Sequence, residues 1–217
     1  QVKTLAQQKR NPAGFVLKPC SDCGSAGVQT FSDADSLYQS MLALDEPERY
    51  LVEEKICGRL LHVDTALYNR EIIYQAIGVY DCSLLNTEKS GHPPFMWHTL
   101  GTDTALGKRL TDFNRTMLRA FNLKYGFSHT EIFVEDNTND LFLCETAARP
   151  PGLRLLDLHA LAAGDHAFDI FVDTISGLRD AAGALPAMYR TVGTVIFNPE
   201  VGILKEVTPL ADLADEY

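Results

Sequence analysis

Residues 129–152 have the sequence HTEIFVEDNTNDLFLCETAARPPG. Two runs of β-forming residues, HTEIFV and LFLCET, flank the polar segment EDNTND, which predicts a β-hairpin. If the hairpin is symmetric about Thr138, Glu131 and Glu145 lie opposite each other with Cβ atoms about 4.5–5.5 Å apart. Paired carboxylates destabilise a sheet unless a cation lies between them, and carboxylates are usual ligands of Mg²⁺. The pattern therefore indicates a metal site, with a solvated outer face or a one-residue register slip as the alternatives.

Arg149 follows the second glutamate by four residues, within the segment ETAARPPG. Its planar guanidinium suits an oxyanion or a carboxylate near the metal site, and the prolines and glycine that follow favour a fixed loop. The alternative is an ion pair with a structural carboxylate.

Lys18 ends a short apolar run and is followed by a small, polar segment at residues 20–27 (CSDCGSAG). Successive backbone N–H groups of such a loop can bind a phosphate, and Lys18 adds a positive charge. The loop lacks the Gly-Lys-Ser/Thr of a Walker motif, and a flexible hairpin loop is the alternative.

Residues 53–56 (EEKI) follow another predicted strand. A carboxylate together with exposed backbone groups can bind the edge of an adenine. A solvated charged run is the alternative.

The remaining pattern predicts an α+β protein with mostly antiparallel strands. Predicted strands are residues 15–18, 28–31 and 50–52, with a helix capped by Ser32 before the third. Further along the chain the predicted elements are a hairpin at 60–80, a long loop at 81–101, a helix at 106–121, two helices broken at Gly164 within 155–182, and a terminal hairpin of 194–197 with 203–207.

Composition excludes some classes of function. The formal net charge of −10 argues against nucleic acid, which requires clustered Lys and Arg, and does not favour an anionic membrane surface. No apolar run approaches the roughly 20 residues of a transmembrane helix. We therefore expect neither nucleic acid nor a membrane as a partner.

The cysteines and histidines give weaker signals. Five cysteines, an odd number without a regular framework, indicate reduced thiols and a cytoplasmic protein. Cys20 and Cys23 form a C-x-x-C without the second ligand pair of a zinc site, so we interpret them as loop residues. His62, His98 and His129 have no helical partners and are interpreted as ordinary polar positions.

Four of these segments resemble the ATP-grasp superfamily in their order and spacing: GFVLKPCSDCGSAGV, YLVEEKICG, HTEIFV and LFLCETAARPPG. The resemblance covers about residues 14–180 and is closest to ligases related to biotin carboxylase, the carbamoyl-phosphate synthase large chain and the amino-acid ligases. It implies an α+β ATP-grasp fold, in which two subdomains with mainly antiparallel sheets enclose the nucleotide. The ending TVGTVIFNPEVGILKEV is similar to the small C-terminal β piece of that group.

The resemblance also implies a role for each matching position. Glu131 and Glu145 match the ligands of Mg²⁺ (or Mn²⁺), and Arg149 matches an arginine near an acyl phosphate. Glu53 matches the acceptor for the adenine amino group. The implied ATP-binding residues are Lys18 at the phosphates, Ser21, Gly24, Ser25, Ala26, Gly27 and Val28 in the loop over them, and Glu53, Glu54, Lys55 and Ile56 at the adenine, the last two through their backbone.

Three departures from the family pattern stand out. Leu60 occupies the position where many relatives have a glutamate for the ribose, and Ala147 replaces an asparagine that often follows the second metal ligand. Only 17 residues precede Lys18, which is too few for the usual N-terminal domain. We therefore expect that domain to be missing.

The expected organisation is a linker (1–13), a small lobe (14–56), a large lobe (57–182) and a C-terminal β-rich extension (183–217). The implied activity is ATP-dependent ligation of a carboxylate to an amine, with release of ADP and phosphate. Small-molecule carboxylates and amines are the expected partners, and a homodimer is one expected assembly. The alternatives are a non-catalytic ATP-binding module and a bicarbonate-using carboxylase subunit.

Overall fold

A computed structural model describes residues 13–21, 24–82, 84–85, 95–183, 185 and 190–196. Most of the predicted linker and of the C-terminal extension lies outside these residues. Among the helices of the described residues, the longest has 16 residues, and none combines the length and apolarity needed to cross a membrane.

A small antiparallel sheet is formed near the start of the chain, with the strand order β2-β1-β3. Its strands are β1 (Phe15–Pro19), β2 (Gln29–Phe31) and β3 (Tyr50–Glu54), and helix α1 (Ala34–Leu42) packs against them. Phe15, Leu17 and Leu37 form the buried core of this layer. All three strands and the helix confirm the elements predicted from the sequence.

The cap of α1 differs from the prediction by one residue. Asp33, and not Ser32, accepts the Ser36 N–H at 2.7 Å. Ser32 instead donates its hydroxyl to the Asp33 carboxylate at 3.1 Å. The ionised carboxylate is the stronger acceptor at a helix N-terminus, where the helix dipole also favours negative charge.

A larger antiparallel sheet has the strand order β8-β7-β4-β5-β6-β9. Its strands are β4 (Gly58–Tyr68), β5 (Glu71–Tyr80), β6 (Phe95–Leu100), β7 (Gly126–Glu135), β8 (Leu141–Ala147) and β9 (Gly193–Ile196). The predicted hairpins β4–β5 and β7–β8 are both confirmed.

Helices cover the two faces of the larger sheet unequally. On one face, Leu110 of α2 (Ala105–Ala120) packs with Leu61 and Ile77 of the sheet. On the other face, α3 (Leu155–Ala163) and α4 (Ala167–Ile175) cover one end, where Leu156 and Ile170 pack on the sheet. The break at Gly164 is confirmed, with φ of +84°, and the second helix ends at Ile175, before residue 182.

One prediction for the far edge of this sheet was wrong, and the terminal hairpin stays a prediction. The loop expected at 81–101 contains β6, because its aromatic run pairs with β5 and places Trp97 opposite Tyr80. Strand β9 pairs with β6, with Ile196 opposite Phe95, and its predicted partner at 203–207 lies outside the described residues.

Candidate functional site

A cavity of about 1140 Å³ lies between the two sheets, at the end of the larger sheet that α3 and α4 leave open. Small-molecule sites usually occupy roughly 300–1,000 Å³, so this cavity is large enough for such a site. Both sheets contribute side chains to it. The predicted site residues that line it are Lys18, Gly24, Ser25, Ala26, Val28, Glu53, Glu54, Lys55, Ile56, Glu131, Glu145 and Arg149.

Two predicted ATP-binding residues are not among those that line this cavity. Gly27 adopts a positive φ of +69° within the loop. Ser21 lines a second, smaller cavity on the side of Asp45 and Arg49. A role for Ser21 or Gly27 in nucleotide binding therefore stays a prediction.

Lys18 connects the two sheets. Its Nζ lies 2.5 Å from Glu53 Oε2 and donates to the Cys144 carbonyl on β8 at 3.2 Å. Lys18 pairs with Leu51 across β1 and β3, which makes Glu53 a diagonal neighbour on the same face. Burial alone lowers the pKa of Lys18, but the hydrogen bond and charge of Glu53 outweigh it, and the pKa lies above its ordinary value. The side chain therefore holds a positive charge at the cavity wall.

Glu131 lies directly opposite Glu145 in the β7–β8 pair, as the symmetric hairpin predicts. The symmetry ends at a bulge after Glu131, beyond which Ile132 pairs with Leu143. Cys144 is the extra residue of this bulge, and its carbonyl is the group that accepts from Lys18. Bulges redirect side chains next to binding sites, and this one adjoins the residue that carries the second carboxylate.

The two carboxylates have different surroundings. The Glu131 side chain is 12% exposed, and its Oε1 accepts the Tyr80 hydroxyl at 3.1 Å. Burial and the charge of Glu131 raise the pKa of the Tyr80 hydroxyl and raise the pKa of the Cys144 thiol to about 12. Glu145 is exposed to the cavity. Two adjacent carboxylates, one fixed and one accessible, suit a hard divalent cation.

The predicted adenine and substrate contacts are partly occupied within the chain. The Lys55 N–H donates to the Gly14 carbonyl at 3.0 Å, so this donor is not available to a ligand. Arg149 is exposed, and its Nη1 donates to the neighbouring Pro150 carbonyl at 2.8 Å. Arg149 also lines the cavity.

Solved structures of three enzymes share this arrangement of sheets and helices. An L-amino acid ligase from Bacillus licheniformis matches with a TM-score of 0.59 at 16% sequence identity, over 87% of this chain and 46% of its own. A biotin carboxylase–β,γ-ATP complex from Campylobacter jejuni gives 0.60 at 14%, over 85% of this chain and 40% of its own. An N5-carboxyaminoimidazole synthetase from Staphylococcus aureus, complexed with ADP, gives 0.60 at 12%, over 88% and 47%. All three are ATP-grasp proteins. This chain has the ATP-grasp fold.

The likeness rests on three-dimensional structure. No protein-family model matches the sequence, and no curated protein matches it. The chain spans less than half the length of each of the three ATP-grasp structures named above.

Beneath the open end of the ATP-grasp cavity, the same sheet face buries a cluster of four polar residues, His62, Asp64, His129 and His159, which we call the imidazole cluster. Asp64 is 1% exposed and accepts from His62 Nδ1 at 2.8 Å and from His129 Nδ1 at 2.5 Å. Burial alone would raise the pKa of Asp64, but the two imidazoles outweigh it and hold that pKa well below its usual range. His129 Nε2 also lies 3.6 Å from Glu131 Oε1, so the cluster adjoins one of the two paired carboxylates.

The spacing of His62, Asp64 and His159 also suits a metal ion, since one ligand atom of each lies within 4.8 Å of the others. The indole N–H of Trp97 argues against it. That group can only donate, and it contacts His62 Nε2. His62 Nε2 must therefore accept, so Nδ1 carries the proton that Asp64 binds and has no lone pair for a metal. The geometry therefore favours a hydrogen-bonded network over a metal site. Gly78 lies against this contact, since a Cβ there would overlap the Trp97 indole and the His62 imidazole.

His159 gives the network a predicted sensitivity to acid. It is fully buried, lies 3.6 Å from Asp64 through Nε2, and stacks near His62 and Trp97. Burial lowers its pKa to about 4. The unfolded chain takes up a proton near pH 6.5 whereas the folded chain does not, so stability falls as pH decreases from about 6.5 towards 4.

We expect His159 to lower the free energy of unfolding by about 2 kcal/mol between pH 7 and pH 5, so that the change in wild type and the change in His159→Leu differ by about this amount. Burial lowers the pKa of His129, but its hydrogen bonds to Asp64 and Glu131 outweigh burial and raise that pKa to about 9, so His129 acts in the opposite direction in both proteins. Urea unfolding followed by circular dichroism at both pH values measures it. His166→Leu is the control for a partly exposed histidine; it removes the cap of α4 and a contact with Asp157 at 3.3 Å, so it should lower stability without removing the decrease on acidification. Equal pH dependence in wild type and His159→Leu would contradict the prediction.

Sequence reasoning missed the imidazole cluster and Tyr80 as parts of the site. His62 and His129 were interpreted as ordinary polar positions, yet His62 lies opposite Glu131, and Asp64 opposite His129, across β4 and β7. A signal was present in the alternation of β4, which puts His62 and Asp64 on one face. Its meaning depends on β7 pairing with β4, which local sequence does not specify.

Proposed function

We propose that this chain provides the ATP-binding and metal-binding part of a ligase that joins a carboxylate to an amine. In this reaction ATP phosphorylates the carboxylate, and the amine then attacks the acyl phosphate and displaces phosphate, leaving ADP. The reaction needs positive charge around the transferred phosphoryl group and a fixed site for the carboxylate.

The pair Glu131–Glu145, opening onto the same cavity as Lys18 and Arg149, is the observation that supports this proposal. Among the described residues, six carboxylates and four Lys or Arg side chains line that cavity. A triphosphate there meets more negative than positive side chains, and so requires divalent cations to approach the glutamates. Glu131 and Glu145 would hold Mg²⁺ or Mn²⁺, which supplies charge stabilisation when bound.

The remaining roles follow from contacts at the cavity wall. Lys18 would exchange its ion pair with Glu53 for the nucleotide phosphates, which frees the Glu53 carboxylate for the adenine amino group. The Lys55 carbonyl and the Ile56 backbone remain as adenine contacts, since the Lys55 N–H is engaged. Arg149 would hold the substrate carboxylate through its planar fork.

The test is an ADP-release screen over amino acids and small carboxylates, with the full-length protein, Mg²⁺ and a mixture of amines. We expect calorimetric ATP binding only with Mg²⁺ or Mn²⁺, and ADP release that depends on a particular carboxylate. ATP binding without release under any condition would overturn the ligase in favour of a binding module. Release that depends on bicarbonate alone would overturn it in favour of a carboxylase.

A further inference from the structure

Part of the cavity lining is apolar and is continuous with a buried cluster. Five cavity-lining side chains pack together around the buried Trp97, and we call them the apolar wall. They come from β4, β5, the segment after β5, β6 and α3: Leu60, Tyr80, Leu84, Phe95 and Leu155. Because five separate parts of the chain converge on it, the wall is a built surface of the cavity.

The larger sheet presents its cavity-lining carboxylates near one edge. The edge strand β8 and its neighbour β7 present Glu145 and Glu131, together with Phe142 and Phe133. The next strands present Leu60 and Tyr80, and β6 presents Phe95, with Ile196 opposite it on the edge strand β9. A ligand that extends from the two glutamates across β4 and β5 therefore meets apolar side chains.

Tyr80 joins the apolar wall to the Glu131 carboxylate. Its hydroxyl donates to Glu131 Oε1 at 3.1 Å, and its ring lies 5.7 Å from the Phe95 ring between centroids. The wall thus begins one side chain away from the proposed metal ligand. Arg149, on the segment that connects β8 to α3, and Leu155, the first residue of α3, both line the cavity.

We propose that the carboxylate substrate bears an apolar side chain, which lies on the apolar wall while Arg149 holds its carboxylate. This inference rests on the proposed ligase function and adds the class of substrate. A charged or amide side chain placed against the wall would lose its water without gaining hydrogen-bond partners from these side chains. The nearby Asp81 carboxylate is already paired with His98 Nδ1 at 2.7 Å.

The experiment compares matched substrates that share carboxylate and amine but differ in side-chain polarity: leucine with asparagine, and methionine with glutamine. ADP release by the full-length protein should favour the apolar member of each pair by roughly tenfold or more in kcat/KM, because one buried methylene already changes this ratio by about that factor. A further measurement with 4-methylpentanoate, which is leucine without its amino group, tests whether the enzyme recognises the apolar side chain and the carboxylate without the amine.

A pair of variants tests whether the apolar wall causes this substrate preference. Phe95→Gln should lower kcat/KM for leucine by about tenfold or more and leave the KM for ATP unchanged. Val195→Gln is the control, since Val195 lies on the neighbouring strand, is exposed, and is not among the lining residues. Thermal melting checks that both variants are folded. If either variant is unfolded, the comparison of substrates in the wild-type protein still tests the proposal.

The outcomes separate this inference from the function on which it rests. Polar substrates used as well as their apolar partners, or Phe95→Gln behaving like Val195→Gln, would overturn the apolar specificity and leave the ligase intact. ATP binding without ADP release for every carboxylate would overturn the ligase itself, and the specificity with it.

Discussion

Replacing Glu131 with glutamine is expected to lower carboxylate-dependent ADP release at least about 100-fold, because the change removes a fixed charge that would hold the cation against the phosphates. Glutamine keeps the size of the side chain and its acceptor oxygen, so the contact with the Tyr80 hydroxyl can survive. Initial rates of ADP release at saturating ATP, over a range of Mg²⁺ concentrations, measure the effect. Thermal melting should show a folded variant.

Two further variants sharpen this test. Glu145→Gln should act in the same direction, and the double variant should lose little beyond either single change, since both ligands would serve one metal group. Glu71→Gln is the matched control, because Glu71 is exposed at the start of β5 and does not line the cavity. More than a tenth of wild-type activity in Glu131→Gln would rule out a metal role for that carboxylate.

The pairing of the two glutamates could be predicted because it depends on a local hairpin. The strand-forming runs and the polar turn lie within 18 residues, from His129 to Thr146, and symmetry gave the correct partner. The bulge could not be predicted, since no glycine or proline marks it. It shifts Ile132 onto Leu143 and leaves the Cys144 carbonyl for Lys18, a residue of the other sheet.

The imidazole cluster lay beyond sequence reasoning for a physical reason. Alternation along β4 indicated one apolar and one polar face, and a polar face is usually solvated. Here residues 61–67 are buried on both faces, because α2 covers one side and α3 brings His159 over the other. These are long-range contacts, and only the assembled sheet shows that His62 and Asp64 are an interior network.

Asp64→Asn is expected to reduce the free energy of unfolding by about 3–5 kcal/mol at pH 7. Asp64 is 1% exposed and is the common acceptor of His62 Nδ1 and His129 Nδ1. An asparagine has one acceptor oxygen, so its amide N–H₂ must face one of the two imidazole N–H groups. The variant therefore loses a buried charge, and the imidazole nitrogen that faces the amide has to give up the proton that it donates to Asp64.

Urea unfolding in EDTA measures this change without any contribution from bound metal. Asp112→Asn is the control, because Asp112 forms an exposed ion pair with Arg115 on α2 and should change stability by less than about 1 kcal/mol. A second variant adds His62→Gln to Asp64→Asn. In that background His62→Gln should reduce the free energy of unfolding by less than it does in the wild-type protein, because the His62 Nδ1–H group that it removes no longer has a carboxylate acceptor. A loss below about 1 kcal/mol in Asp64→Asn, or strict additivity of the two changes, would mean that Asp64 does not hold the two imidazoles.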